Sequence, residues 1–207
     1  MKCSRIHGVF AHLRRQAQAT RRAPASIKIQ PPNAARRQNE MQPMSKKIYN
    51  VLFLCMGNSA RSILAEGLMN SLGKNHFRAY SACSFPAGKV NPLAIETLQH
   101  LSIDTSTMRS KSWDEFAAAN APKMDFIFTV CDAAAGETCP VWPGHPMTAH
   151  WGFADPSHVE GDIEVKRAAF AKTARDITQR LRLFLSLPLA SIDRMALQTR
   201  LHEIGNS

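Results

Sequence analysis

From Ile48 the chain reads Ile48-Tyr-Asn-Val-Leu-Phe-Leu-Cys55-Met-Gly-Asn-Ser-Ala-Arg61-Ser62. The apolar run up to Cys55 lacks the alternation of a half-exposed strand and fits a strand buried on both faces of a parallel sheet. Met56–Ser59 is a short turn containing Gly and Asn. A helix is predicted from about Ala60, where Ile63, Leu64, Leu68, Met69 and Leu72 recur at helical spacing and Gly73 is a plausible stop. A cysteine and an arginine with five residues between them thus bracket a strand-to-helix turn. Backbone N–H groups of such a loop and the helix N-terminus converge on one concavity that favours an oxyanion. Gly57 lets the backbone curl. Arg61 can grip two oxygens with its planar fork. In that positive field Cys55 is expected to be a thiolate, with a hydrogen bond from Ser62, and to act as a nucleophile towards a bound tetrahedral oxyanion. The residues predicted to line the cradle are Met56, Gly57, Asn58, Ser59, Ala60, Arg61 and Ser62. The plainer alternative is a buried strand-end cysteine beside a structural arginine.

Working outward, a second strand is predicted near Phe77–Cys83. Asn91-Pro92 opens a helix bearing Leu93, Ile95, Leu98 and Leu101, with proline at a permitted first-turn position. Ser112–Ala121 reads as a short helix, Phe126–Val130 as a third strand and Met147–Trp151 as a fourth. Asp162–Leu187 reads as one long helix stopped by Pro188, and Arg194–Ile204 as a loosely attached helical turn or two. Strands alternating with helices imply an α/β fold, a three-layer sandwich around a four-stranded parallel sheet.

The net charge of +10 suggests nucleic acid until it is located. Residues 1–47 hold 11 Lys and Arg against one acid, Glu40; of the chain's 26 bases and 16 acids, that leaves 15 of each in the remainder. The body is neutral and carries no basic face for nucleic acid. No stretch approaches the roughly 18–20 apolar residues that span a bilayer, and the longest apolar patch, Leu181–Ile192, is broken by Arg182, Ser186, Pro188 and Ser191. Residues 1–47 are expected to be a disordered basic leader. Three readings stay open for it: a start codon taken too early, with Met41 and Met44 just ahead of the body; an organelle-targeting leader; or a disordered arm with weak anion affinity. Residues 48–188 are read as one domain and 189–207 as a C-terminal helical tail. The expected location is the cytoplasm and the expected state a monomer.

Five cysteines at irregular spacing, Cys3, Cys55, Cys83, Cys131 and Cys139, do not make a secreted disulfide framework. Cys131-Asp-Ala-Ala-Ala-Gly-Glu-Thr-Cys139-Pro140 follows the third strand. The C-terminal ends of parallel strands share the edge where ligands bind, so Cys131 ends its strand on the side where Cys55 ends its own. The intervening Ala/Gly-rich segment has little bulk to anchor it. A zinc site would need about four ligands at tighter spacing, and two inert buried thiols are the remaining alternative.

Cys55–Ser62 in its strand-to-helix setting resembles the low-molecular-weight tyrosine phosphatase superfamily, and His150-Trp-Gly-Phe-Ala-Asp155-Pro156 resembles that family's acid loop. By that match Asp155 takes the role of general acid; by itself it would read as a turn aspartate before Pro156. Together with Cys131…Cys139-Pro, Ser110-Lys-Ser-Trp113 and Val90-Asn-Pro92, the set is similar to the three-cysteine arsenate reductases of this fold over roughly residues 48–188. The resemblance implies a sequence of steps. Cys55 attacks arsenate held by Arg61. Asp155 protonates the departing oxygen. Cys131 attacks Cys55 and releases arsenite. Cys139 then draws the disulfide out to Cys131–Cys139, where thioredoxin, or glutaredoxin with glutathione, reduces it. No cofactor is called for. The alternatives are a low-molecular-weight protein tyrosine phosphatase, against which Ser157 and His158 argue because aromatics usually follow the acid there, and a non-catalytic oxyanion or redox sensor.

Some members of the family hold a structural potassium ion. Asn58, Glu66 and Ser81 match its positions, but Lys111 stands where those members carry aspartate. The resemblance therefore implies an ammonium in place of the ion and no dedicated metal site. Cys83 stands where the family has glycine and reads as a packing substitution. His150 and Trp151 read as packing and loop-anchoring residues.

Overall fold

Apolar residues on both faces of one strand require cover on both sides, and this requirement organises the molecule. The computed structural model describes residues 47–136 and 141–207. Strand β1 (Tyr49–Leu54) splits its side chains between two cores. Val51 and Phe53 join Ile63, Leu64, Phe170, Ile177 and Phe184 on one face. Leu52 and Leu54 join Phe116, Ile127 and Trp142 on the other. Helices thus cover both faces of a parallel four-stranded sheet, the three-layer α/β arrangement predicted from the sequence.

Strand β2 (Phe77–Ala82) and strand β3 (Phe126–Thr129) flank β1, and strand β4 (Met147–His150) lies outside β3, giving the order β2-β1-β3-β4. Leu54 pairs with Ala82 on one side and with Thr129 on the other. The chain leaves β1 towards β2, then crosses back to β3. The direction of winding therefore reverses between β1 and β3, and a crevice opens there beyond the strands' C-terminal ends. Cys55 and Cys131 each follow one of these two strands within two residues, so the topology alone brings both sulfurs to this crevice.

Helix α1 (Arg61–Leu72) is buried without a break from Ser62 to Met69, as expected of a helix enclosed by the sheet and two further helices. Those are α2 (Pro92–His100) and α5 (Ile163–Leu185). Asn91 caps α2 through its side chain at Leu93 N, and Asp162 caps α5 at Glu164 N and Val165 N. Helix α3 (Asp114–Ala117) is a single turn, shorter than the predicted Ser112–Ala121. Residues 111–113 are first used as an extended bridge to Cys83: Cys83 N donates to Lys111 O and Trp113 N to Cys83 O. Ala118 then turns to extended geometry and ends the helix. Helix α4 (Asp132–Gly136) follows Cys131.

Arg194–Gly205 forms a full helix, α6, rather than a loose turn or two. Asp193 caps it, and Leu197, Leu201 and Ile204 enter the larger core against β4. Trp151 binds α6 to the sheet: it stacks on Phe128 at 4.0 Å and donates Nε1–H to Leu201 O at 3.0 Å. Among the described residues no helix is long and apolar enough to cross a membrane.

Candidate active site

The loop from Cys55 to Ala60 joins β1 to α1. Its curl needs two left-handed residues in succession, Gly57 at φ 77° and Asn58 at φ 45°. Glycine takes the first without strain. Asn58 is stabilised in the second by its buried amide, which donates to Ser62 Oγ (2.9 Å) and Ser81 Oγ (2.8 Å) and accepts from Lys111 N (2.8 Å). The carbonyls of Gly57 and Ser59 are held outward, the first by Ala87 N and Ser110 Oγ, the second by Asn91 N. A loop whose carbonyls are fixed outward offers its amides to an anion inside. The runs Val90–Pro92 and Ser110–Trp113 thus share a place as the outer wall of the cradle, through Asn91 N and Ser110 Oγ. Ser62, expected to donate to the Cys55 sulfur, accepts from Asn58 and so helps to shape the loop.

Behind the loop lies a polar cluster. Asn58, Ser62, Glu66, Ser81 and Lys111 are all buried. Lys111 Nζ lies 3.0 Å from Glu66 Oε2 and 3.0 Å from Arg109 O, and the Ser81 hydroxyl donates to the same Glu66 oxygen. An ammonium already sits among the groups that match the family's potassium ligands, so the residues present do not fit an added metal ion. Each buried charge has a partner, as burial demands.

Arg61 is not free above the loop. Nη1 donates to Phe153 O (3.0 Å) and Nη2 to Asp155 Oδ2 (2.6 Å). Its Nε is buried with no partner among the described residues, an orphan donor of the kind a bound oxyanion satisfies. Asp155 combines the two roles weighed for it. Its Oδ1 accepts Ser157 N and caps the short 3-10 turn Pro156–His158, while its Oδ2 meets Arg61. Burial pushes its carboxyl up, but the Ser157 hydroxyl and N–H, then Arg61 and His158, outweigh that and hold it below the usual carboxylate value.

The two sulfurs meet. Cys55 and Cys131 are both reduced and buried. Met56 N, an amide of the cradle itself, donates to Cys131 Sγ at 3.3 Å. The neighbouring Cys131 sulfur and burial push the Cys55 thiol up, against the pull of Arg61. Cys131 comes down to about 6, first through the neighbouring Cys55 thiol, against desolvation, then through the N–H groups of Met56 and Ala134 and through Arg61. The two thiols compete for one proton, so the pair holds a single negative charge. A coupled pair titrates as a unit, and a small shift of the bridging proton exchanges the roles.

Cys139, predicted as the third redox cysteine, lies outside the described residues, as does Cys3. His150 does more than pack: it links Thr129 Oγ1 (2.9 Å) to Asp132 Oδ1 (3.0 Å). Two participants had no local signal in the sequence: the Phe153 carbonyl that receives Arg61, and Arg180, which comes from α5 to hold the segment around it.

A family model described as low molecular weight phosphotyrosine protein phosphatase matches residues 50–197. An arsenate reductase of Bacillus licheniformis is 38% identical over 141 residues, 68% of this chain and 96% of that protein. The arsenate reductase of Halalkalibacterium halodurans is 36% identical over the same shares of the two chains. The low molecular weight protein tyrosine phosphatase from T. tengcongensis, a solved structure, aligns with a TM-score of 0.55 at 24% identity, over 67% of this chain and 99% of that one, which is a likeness of fold.

Proposed function

The chain belongs to the low molecular weight phosphotyrosine protein phosphatase family, and from that premise we propose that it is an arsenate reductase working through a cysteine relay. The observation that carries this reading is Cys131 Sγ held on Met56 N, an amide of the anion cradle, beside the Cys55 thiol. Phosphoester hydrolysis needs Cys55, Arg61 and Asp155, and gives a second thiol at the nucleophile no work. Two-electron reduction needs it.

In the proposed reaction arsenate displaces Cys131 from the loop amides and draws the Arg61 fork, with its orphan Nε, away from Phe153 O and Asp155. Losing Arg61 and gaining a neighbouring anion both raise the proton affinity of Asp155. Substrate thus converts a resting carboxylate into the acid the step requires. The proton shared by the thiols passes to Cys131, Cys55 thiolate attacks arsenic, and a hydroxyl group leaves as water with the proton from Asp155. Cys131 then gives its proton to an oxygen on arsenic and attacks Cys55 sulfur as thiolate. The S–As electron pair passes to arsenic, arsenite leaves in the trivalent state, and a Cys55–Cys131 disulfide remains. Cys139 attacks Cys131, Cys55 departs as thiolate, and an external dithiol, thioredoxin or glutaredoxin, reduces the Cys131–Cys139 bond.

The test is arsenite formation by purified protein with the thioredoxin and the glutaredoxin system in turn. Cys131→Ser should form none, and Cys139→Ser should form about one arsenite per molecule and stop. Normal cycling by Cys139→Ser would refute the relay. Efficient hydrolysis of a phosphotyrosine analogue that survives loss of Cys131 and exceeds arsenite formation would favour a phosphatase.

A further inference from the structure

A carboxylate on a loop is only as well placed as whatever holds the loop. Residues 151–155 leave the end of β4, and Trp151 is buried and fixed. Beyond it, Phe153 N reaches Val130 O only at 3.3 Å, and Gly152, Phe153 and Asp155 are partly open to solvent. The firm hold comes from α5. Arg180 donates Nη1–H to Gly152 O at 2.9 Å, and its guanidinium lies over the Phe153 ring, 4.4 Å from the centroid. Its other amino group donates to Ser207 O at 2.9 Å, just past α6. The same Phe153 gives its carbonyl to Arg61.

We propose that Arg180 is a positioning residue for the proton-transfer step: it clamps Gly152 and Phe153 so that the Phe153 carbonyl and the Asp155 carboxylate receive Arg61 together. The clamp depends on shape as well as charge. A flat guanidinium stacks on a ring while its in-plane N–H groups bond sideways to a carbonyl; an ammonium cannot do both. Arg180 touches neither the anion loop nor either sulfur, so it acts through the loop alone. Helix α6 supports the same loop from behind, through Leu201 O on Trp151 and Ser207 O on Arg180.

This inference rests on the reading of Asp155 as the proton donor, and its test is arranged to fail separately from arsenate reduction. The first readout needs no turnover: NMR titration of the Asp155 carboxyl in the wild-type protein, Arg180→Ala and Arg180→Lys. Loosening the loop should weaken the Arg61–Asp155 pair and move the Asp155 midpoint up towards the ordinary carboxylate value in both variants, with dispersed spectra reporting an intact fold. The second readout is arsenite formation, where Arg180→Ala should lower kcat about tenfold, a fraction of what a general acid contributes, and leave KM within about twofold. Added guanidinium ion should restore part of the loss. An unmoved Asp155 midpoint in a folded Arg180→Ala protein overturns the proposal whether or not the protein reduces arsenate. Wild-type values in Arg180→Lys overturn the stacking and fork geometry. A loss confined to KM assigns Arg180 to anion binding and overturns its role at the acid.

Discussion

Replacing Lys111 with methionine should destabilise the protein out of proportion to the change in shape. Methionine matches the aliphatic stem, so the perturbation is the loss of one charge from a buried pair. Lys111 and Glu66 side chains are 6% and 11% exposed, and their charged atoms are 3.0 Å apart. At an effective dielectric constant of about 20, such a pair attracts by roughly 5 kcal/mol, much of it offset by the cost of burying two ions. Removing one partner leaves that cost in place for the other. Glu66 would keep only the Ser81 hydroxyl, and the expected loss is about 3–5 kcal/mol. For a domain of this size that is a fall in Tm of roughly 6–20 °C. Urea unfolding at pH 7 is the direct assay. Lys111→Met/Glu66→Gln should recover most of the loss, because no unpaired charge remains. The site's dependence on the ammonium can be read in the same experiment: potassium chloride should stabilise Lys111→Met more than the wild-type protein. A single variant within about 1 kcal/mol of wild type would refute the reasoning. So would a double variant worse than the single one.

Three further outcomes follow from the geometry. Arg61→Lys keeps the charge but loses the fork and the buried Nε–H; arsenate affinity by titration calorimetry should fall about 10–100-fold, one or two charge-assisted hydrogen bonds, and a change under about threefold would contradict the cradle as described. Asp155 has its folded carboxyl held low by Ser157, Arg61 and His158 against burial, so it contributes stability above its unfolded pKa near about 3.9 that is lost as pH falls through the folded value. The stability gap between wild type and Asp155→Asn should accordingly close on acidification below about pH 4, and a gap constant from pH 7 to pH 3 would show that the pairing is not the cause. Leu201→Ala removes a fully buried side chain from α6 and should cost about 2–5 kcal/mol, with a red shift of tryptophan fluorescence from Trp151; a loss under about 1 kcal/mol would mean α6 is not part of the core.

Where local chemistry fixes geometry, the sequence was legible. The apolar run before Cys55, the glycine at position 57 and the arginine at 61 have one economical arrangement, and the cradle follows it. The strand-end placement of Cys131 followed from parallel topology. What the sequence did not display was partnership across distance. Nothing near Arg61 announces that its fork rests on a carbonyl 92 residues away, and nothing near Arg180 marks it apart from the other basic residues of an exposed helix face. Helix α6 shows little in the sequence because its apolar residues are few; their burial depends on β4 and Trp151, which no window around residue 200 contains. The same holds for the second sulfur: the topology places Cys131 at the right edge of the sheet, but that its Sγ reaches the Met56 amide is a fact of three dimensions.

The unsatisfied Nε–H of Arg61 has a further consequence. A buried donor with no acceptor among the described residues favours a bound oxyanion, and any tetrahedral one can satisfy it. Phosphate has nearly the shape and charge of arsenate, so it will be a frequent guest. On the proposed reading, discrimination between the two then cannot lie in the grip. It lies in the electron pair: pentavalent arsenic accepts one from sulfur, pentavalent phosphorus does not, and a visitor of the wrong element simply departs.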